Sequence, residues 1–183
     1  MQLPVYVDTA LRLALLLAGL LLPGSMLLRA LRLPWSLAAA FATSAAALYG
    51  VVLLFAWTGA VISLLTLAAA LALVTLVASL VPARPSRTQI SSSFASFGQM
   101  GGWLPLYGAF WLIVAWRLGF HPLNGPDVSF RWSWLAEQML QFGSLDFYPP
   151  RSGEDFIRYF WAESIPPGIA SLYAWAYGCG GSR

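Results

Sequence analysis

Residues 36–57 read SLAAAFATSAAALYGVVLLFAW and residues 60–81 read AVISLLTLAAALALVTLVASLV, with only Thr58-Gly59 between them. Neither run holds an acid, an arginine or a lysine. A helix needs about 20 mostly apolar residues to cross the hydrocarbon core of a bilayer, so both runs are long enough. With no polar linker between them, they predict a membrane hairpin that turns at Thr58-Gly59. Ala and Ser recur along residues 36–47, and small residues let membrane helices approach closely. Pro82 ends the second run.

The flanking sequence extends the same pattern. Residues 9–28 form an earlier apolar run, with Arg12 near its start able to reach the interface. Pro23-Gly24 is expected to kink it or end it early. A signal peptide is the rival reading of this run; Asp8 in front, two arginines behind and the lack of a clear small-x-small cleavage site count against it. After Pro82, residues 83–102 form a Ser-rich polar linker with Arg84 and Arg87. Residues 103–116 form a shorter fourth run, extending to about Gly119, with Trp at both ends as in an aromatic belt.

Composition agrees with these windows. The chain is 59% hydrophobic and 9% charged, where a soluble domain carries about 25% charged residues. Its mean hydropathy is +0.71. The ten basic residues are all arginine and are scattered, so the net charge of +3 gives no argument for a nucleic-acid partner. Cys179 is the single cysteine and has neither a disulfide partner nor metal-ligand spacing. His121 lies between Phe120 and Pro122 and is read as an interfacial residue rather than a ligand or base.

The arginines set an expected orientation. The links with Arg29 and Arg32, and with Arg84 and Arg87, contain no acid and are expected on the cytoplasmic side. The N-terminus, the turn at Thr58-Gly59 and the long segment after the fourth run then lie outside a bacterial inner or plasma membrane. That segment holds six of the seven acids: Asp127, Glu137, Asp146, Glu154, Asp155 and Glu163. The expected fold is an all-α polytopic transmembrane bundle. Residues 1–119 give four membrane helices, 120–164 an outer loop, and 165–183 the start of a fifth, truncated membrane helix.

Within the loop, residues 130–142 read as an amphipathic helix. Trp132, Leu135, Ala136, Met139 and Leu140 recur at helical spacing and make one apolar stripe, with Arg131, Glu137, Gln138 and Gln141 off it. Such a helix is expected to lie apolar side down on the membrane surface. Gly143 ends it. Residues 145–150 read as extended, 151–159 as a polar turn or short helix, and Pro166-Pro167 as the opening of a new helix to about Gly178.

Asp127 is the first candidate for chemistry. A carboxylate at the interface can take a proton from an acceptor hydroxyl or help hold a divalent cation; the alternative is a helix N-cap. Arg131 can grip a lipid phosphate, or serve as a surface charge one turn from Asp127. Glu163 stands just before the Pro-Pro helix start, where a carboxylate is favoured electrostatically. Arg158 and Tyr159 precede Phe160-Trp161, which reads as an interfacial anchor. No phosphate-cradling glycine loop, Ser/His/Asp set or metal cluster occurs in the sequence.

The segments PDVSFRWSWLAEQMLQFGSLDFYPP (126–150) and RYFWAESIPPGIASLYAWAYG (158–178) resemble the first outer loop of GT-C membrane glycosyltransferases. The closest likeness is to the branch of the lipid A aminoarabinose transferases and protein O-mannosyltransferases. That loop runs from an acid to an Arg-Tyr pair, a helix ending in Met-Leu, a Gly, a Pro, a Tyr-Phe, and a Pro opening the next membrane helix. Here the order is Asp127, Arg131-Trp132, Met139-Leu140, Gly143, Pro149 or Pro150, Tyr159-Phe160 and Pro166.

The resemblance implies transfer of a sugar from a polyprenyl-phosphate carrier to an extracytoplasmic acceptor. Asp127 would be the catalytic acid or base, Arg131 a contact to the lipid phosphate or a support for Asp127, and Tyr159 and Glu163 further substrate contacts. The chain departs from the pattern in three respects. Asp127 is four residues before the arginine instead of three and is followed by Val128, not a second acid. The lysine often found before the helix-opening proline is missing. Four apolar runs precede the loop where the family usually has one. The resemblance also implies further helices, in a longer chain or a partner subunit. A non-catalytic membrane scaffold or transporter subunit is the other function carried forward, since the apolar runs hold few ionisable groups.

Overall fold

The computed structural model describes residues 5–82, 109, 112, 131–160 and 166–180. Among them the regular structure is entirely helical. Six helices follow in order: α1 (Val5–Ala30), α2 (Leu37–Thr58), α3 (Leu64–Leu80), α4 (Trp134–Phe142), α5 (Gly153–Arg158) and α6 (Gly168–Gly180). Ala109 and Leu112 are helical too, and the rest of the fourth apolar run and the linker before it lie outside the described residues.

Two helices are long and apolar enough to cross a membrane, Val7–Ala30 and Leu37–Thr58. The third expected span is shorter. Ser63 caps α3, accepting from the Thr66 N–H while the Thr66 side chain accepts from the Ser63 N–H. Residues 60–63 are therefore outside the helix. Its 17 residues rise about 26 Å at 1.5 Å per residue, just short of a hydrocarbon core of about 30 Å.

Pro23 does not end α1. The helix runs through it to Ala30. Proline removes one ladder donor and its ring crowds the carbonyl four residues back, and here the second helix supports the disturbed turn. The Gly24 N–H donates to Ser44 Oγ at 2.8 Å in a buried contact. A Cβ on Gly24 would collide with the Ala40 carbonyl oxygen. The small residues expected along the start of α2 thus form the crossing: Ala40 and Ser44 are fully buried against α1. Trp35 Nε1 donates to Ser25 Oγ at 3.2 Å, tying the α1–α2 connection to α1.

The turn at the other end of α2 is as expected. Gly59 takes a left-handed φ of 70° and its N–H closes on the Phe55 carbonyl. The chain then reverses into α3, and α1 packs directly against both helices of the hairpin. Leucines on these three helices are widely exposed, among them Leu11, Leu17, Leu53, Leu65, Leu73 and Leu80. An apolar surface this extensive fits burial in lipid. Trp35 and Trp57, both exposed, stand at opposite ends of α2.

The segment 131–160 is packed onto the end of this hairpin. The Ile62 N–H, in the α2–α3 turn, donates to the Gly143 carbonyl at 2.7 Å. One hydrophobic core runs through both parts: Leu48, Val52 and Leu67 belong to the same cluster as Leu135, Met139, Phe147 and Trp175. α6 is the centre of that join, since it packs against α1, α2, α3 and α4.

Here the structure corrects the expected surface helix. The stripe of α4 faces protein, with Leu135, Ala136 and Met139 fully buried, and Trp132 and Leu140 packed against the same core. Gln138, expected on the polar face, is buried as well, while Glu137 and Gln141 are exposed. The stripe lies against α6 and the hairpin end, so no lipid-facing side remains to it.

Candidate functional site

The described part of the site begins at the head of α4. Residues 131–133 form one wide turn of π type that leads into the helix. Arg131 is half-buried in that turn. Two residues on, the Ser133 hydroxyl forms a 2.6 Å hydrogen bond with the Tyr177 hydroxyl of α6. The head of α4 is thereby fixed to the helix that carries Trp175. Gly143, with φ 64°, closes the other end of α4 as its sequence position predicts.

The segment between α4 and α5 folds back over α4. Tyr148-Pro149 is a cis peptide, and residues 145–150, expected to be extended, make turns instead. Phe147 is fully buried. Trp134 Nε1 donates to the Arg158 carbonyl at 3.3 Å. The Arg158 guanidinium sits 4.8 Å from the Phe142 ring centre and 3.7 Å from Asp146. Asp146 is exposed and Arg158 only half-buried, so the pair is open to solvent and contributes about 0–1 kcal/mol.

Asp155 closes a capping box with Ser152. Its Oδ2 accepts from the N–H groups of Arg151 at 3.0 Å and Ser152 at 2.9 Å, and its own N–H donates to Ser152 Oγ. The Arg151 N–H, then the Ser152 hydroxyl and the Ser152 N–H, hold its carboxyl below the ordinary aspartate value of 3.8. Glu154 and Asp155 do not act as a pair; Asp155 caps α5 and Glu154 is exposed beside it.

Tyr159 is fully buried, its ring centre 5.3 Å from that of Tyr148 in an edge-on arrangement. The structure thus places this candidate in the core shared by the two parts of the molecule. Asp127 and Glu163, the two acids of the expected site, lie outside the described residues, as does His121. Among the described residues no group of three His, Cys, Asp or Glu side chains is placed to hold a metal.

Two features here have no single-residue signal in the sequence. One is an apolar groove of about 390 Å³ between α1 and α3, lined by Leu15, Leu22, Met26, Ala72 and Thr75, with Trp175 at its head. The other is a crevice of about 480 Å³ where the start of α1 meets the end of α6. In it Arg12 Nε is 2.7 Å from Asp8 Oδ2, and Arg12 Nη1 reaches the Cys179 carbonyl at 3.4 Å. Arg12 is thus engaged by its own helix and by the carbonyl end of α6, where a cation is favoured. Both features depend on residues more than 150 positions apart meeting in the fold.

The chain matches no protein-family model, no curated protein and no solved structure.

Proposed function

We propose that the chain is a membrane glycosyltransferase-like protein that handles a sugar carried on a polyprenyl phosphate. The observation that carries this reading is the groove between α1 and α3. It is apolar, lies between membrane-type helices, and starts at Trp175 beneath the docked segment. An isoprenoid chain fits such a surface, with its phosphate at the end where the docked segment lies. Arg131 stands two residues before Ser133, whose hydroxyl bonds Tyr177 of α6, and a guanidinium binds phosphate through paired donors. Asp127 stands four residues earlier in the chain and takes the role of acid or base toward the acceptor hydroxyl. Tyr159, buried as it is, positions the loop instead of touching the donor. Glu163 remains a candidate contact, and a divalent cation one option for neutralising the phosphate. The positive-inside count supports an extracytoplasmic site.

Proteoliposomes bearing the chain test this directly. A benzophenone-tagged polyprenyl phosphate is expected to crosslink to α1 and α3, to be displaced by untagged polyprenyl phosphate, and to lose most labelling in Ala72→Phe and Arg131→Ala. With a polyprenyl-phosphate sugar, release or transfer of the sugar is expected to fall sharply in Asp127→Asn. Labelling indifferent to both groove and arginine variants would overturn the binding site. Equal turnover by Asp127→Asn would remove that residue from the mechanism.

A second reading, a non-catalytic membrane scaffold, is favoured by the polar groups of the docked segment, several of which serve the segment itself. Ser144 bonds Asp146 at 2.7 Å, Asp146 pairs with Arg158, and Asp155 caps α5. Copurification with a larger membrane enzyme, without crosslinking to polyprenyl phosphate, would decide for it.

A further inference from the structure

The stripe of α4, which the sequence offered to the membrane, is consumed by the protein core. The docked segment nevertheless presents another apolar surface. Phe142, Phe156, Ile157 and Phe160 are exposed, Ile157 at 83%. Phe142 touches Phe147 and Phe160 touches Tyr159 along one side, yet each of the four keeps a large part of its apolar surface open. They also do not serve α5, whose ends are fixed by Ser152, Asp155 and the Tyr159 N–H to the Asp155 carbonyl.

Their position gives the reason. Trp57, Val61 and Leu65 make an exposed apolar collar where α2 turns into α3. Val61 borders Gly143, where an added Cβ would lie 3.2 Å from Val61 Cγ1. Phe142 is the next residue, and the Arg158 guanidinium at its ring links it to α5. Exposed apolar side chains thus run from the α2–α3 turn to Phe142, and the Arg158 contact joins Phe142 to the helix that carries Phe156 and Ile157. Arg151, exposed, and Arg158, half-buried, flank the patch. Aromatic and aliphatic groups beside arginines are the composition that favours the headgroup boundary of a bilayer.

We propose that Phe142, Phe156, Ile157 and Phe160 form a second lipid-contacting surface, which seats the α5 side of the docked segment in the interfacial layer of the leaflet that holds the α2–α3 turn. The segment then stays at headgroup depth instead of projecting into water, with Arg151 and Arg158 facing lipid phosphates. This holds whether or not the chain transfers sugar.

The test uses the full chain in phosphatidylcholine vesicles. Cys179 is the only cysteine and is buried, so a Cys179→Ser background with unchanged thermal unfolding allows single-site labelling. An environment-sensitive fluorophore is placed at Ile157→Cys, at Phe160→Cys, and at Glu137→Cys on the exposed polar face of α4. The expected result is blue-shifted emission at positions 157 and 160, quenched by a spin label near the lipid headgroup and shielded from aqueous iodide. Position 137 is expected to show the reverse. Iodide quenching at 157 and 160 equal to that at 137 would overturn the proposal. So would protection at both sites from lipid and aqueous quenchers alike, since protein would then cover the patch. Where the Cys179→Ser background shifts the unfolding temperature, the same labels are read in the native background, with Cys179 left buried.

Discussion

Trp175 occupies the space beside Gly19: a Cβ at position 19 would overlap the indole, whose Nε1 donates to the Leu16 carbonyl at 3.2 Å. This contact joins the first helix to the last across more than 150 residues of sequence. Gly19→Ala is expected to push the indole out and cost about 1–3 kcal/mol as an overpacked core. Trp175→Ala is expected to cost about 3–5 kcal/mol, and Trp175→Phe less. Unfolding in a graded detergent titration measures all three. A Gly19→Ala protein as stable as wild type would show that the indole has room to move.

The α1–α2 crossing makes a second prediction. Ser44→Ala removes the acceptor of the Gly24 N–H beside a proline-disturbed turn. Interhelical hydrogen bonds of this kind in membrane proteins contribute about 0.6 kcal/mol on average and about 1.7 at most, so the loss is expected at the upper part of that range. Gly24→Val is expected to be far worse, because the Ala40 carbonyl lies in the way. The same titration ranks the two.

Backbone conformation separates Gly143 from Arg32. Gly143→Ala forces a side chain into the left-handed region, at about 1–2 kcal/mol, and brings a methyl against Val61. It should loosen the docked segment first, visible as faster amide exchange at Ile62. Arg32 already pays that strain, with φ 59° just past α1, where the Leu33 N–H bonds the Leu28 carbonyl at 2.9 Å. Arg32→Gly is expected to stabilise by about 0.5–1 kcal/mol, the strain relief less the extra chain entropy of glycine. A loss of stability would show that the arginine side chain contributes more than its backbone costs.

Acid should release α5. The folded Asp155 carboxyl titrates below its ordinary value. Its contribution is therefore complete above the unfolded-state value and is lost as pH falls through the lower, folded one. The Arg151 and Ser152 amides, which donate to Oδ2, are expected to lose protection, relative to their intrinsic exchange rate at each pH, below pH ~4. Asp155→Ala is expected to show that loss of protection at neutral pH and to lose the transition.

The helix ends were legible where a single residue type dictates the backbone. Gly59 and Gly143 mark two of them, and both close their helices as their positions predict. Ser63 was missed because it sits inside an unbroken apolar run, where hydropathy outweighs a cap. Of the two outcomes expected at Pro23, an early end does not occur, and the Gly24 N–H there finds its acceptor in Ser44 on another helix. The stripe of α4 was legible from its period, but periodicity says which side is apolar and not what covers it. Tyr159 was expected as a substrate contact from the resemblance; its burial brings it edge-on to Tyr148, which the turns at residues 145–150 carry. The groove headed by Trp175 was invisible, since no local pattern places α6 between α1 and α3.

The place of Trp175 has a consequence for biosynthesis. Chains fold from the amino end as they emerge, so α1 to α3 are complete while the indole is still unmade. Until then, the notch at Gly19 is unfilled and the Leu16 carbonyl lacks its extra donor. Formation of the hairpin and closure of its interior are thus separate events in time, and a ribosome stalled shortly before codon 175 would leave the three helices with an open seam.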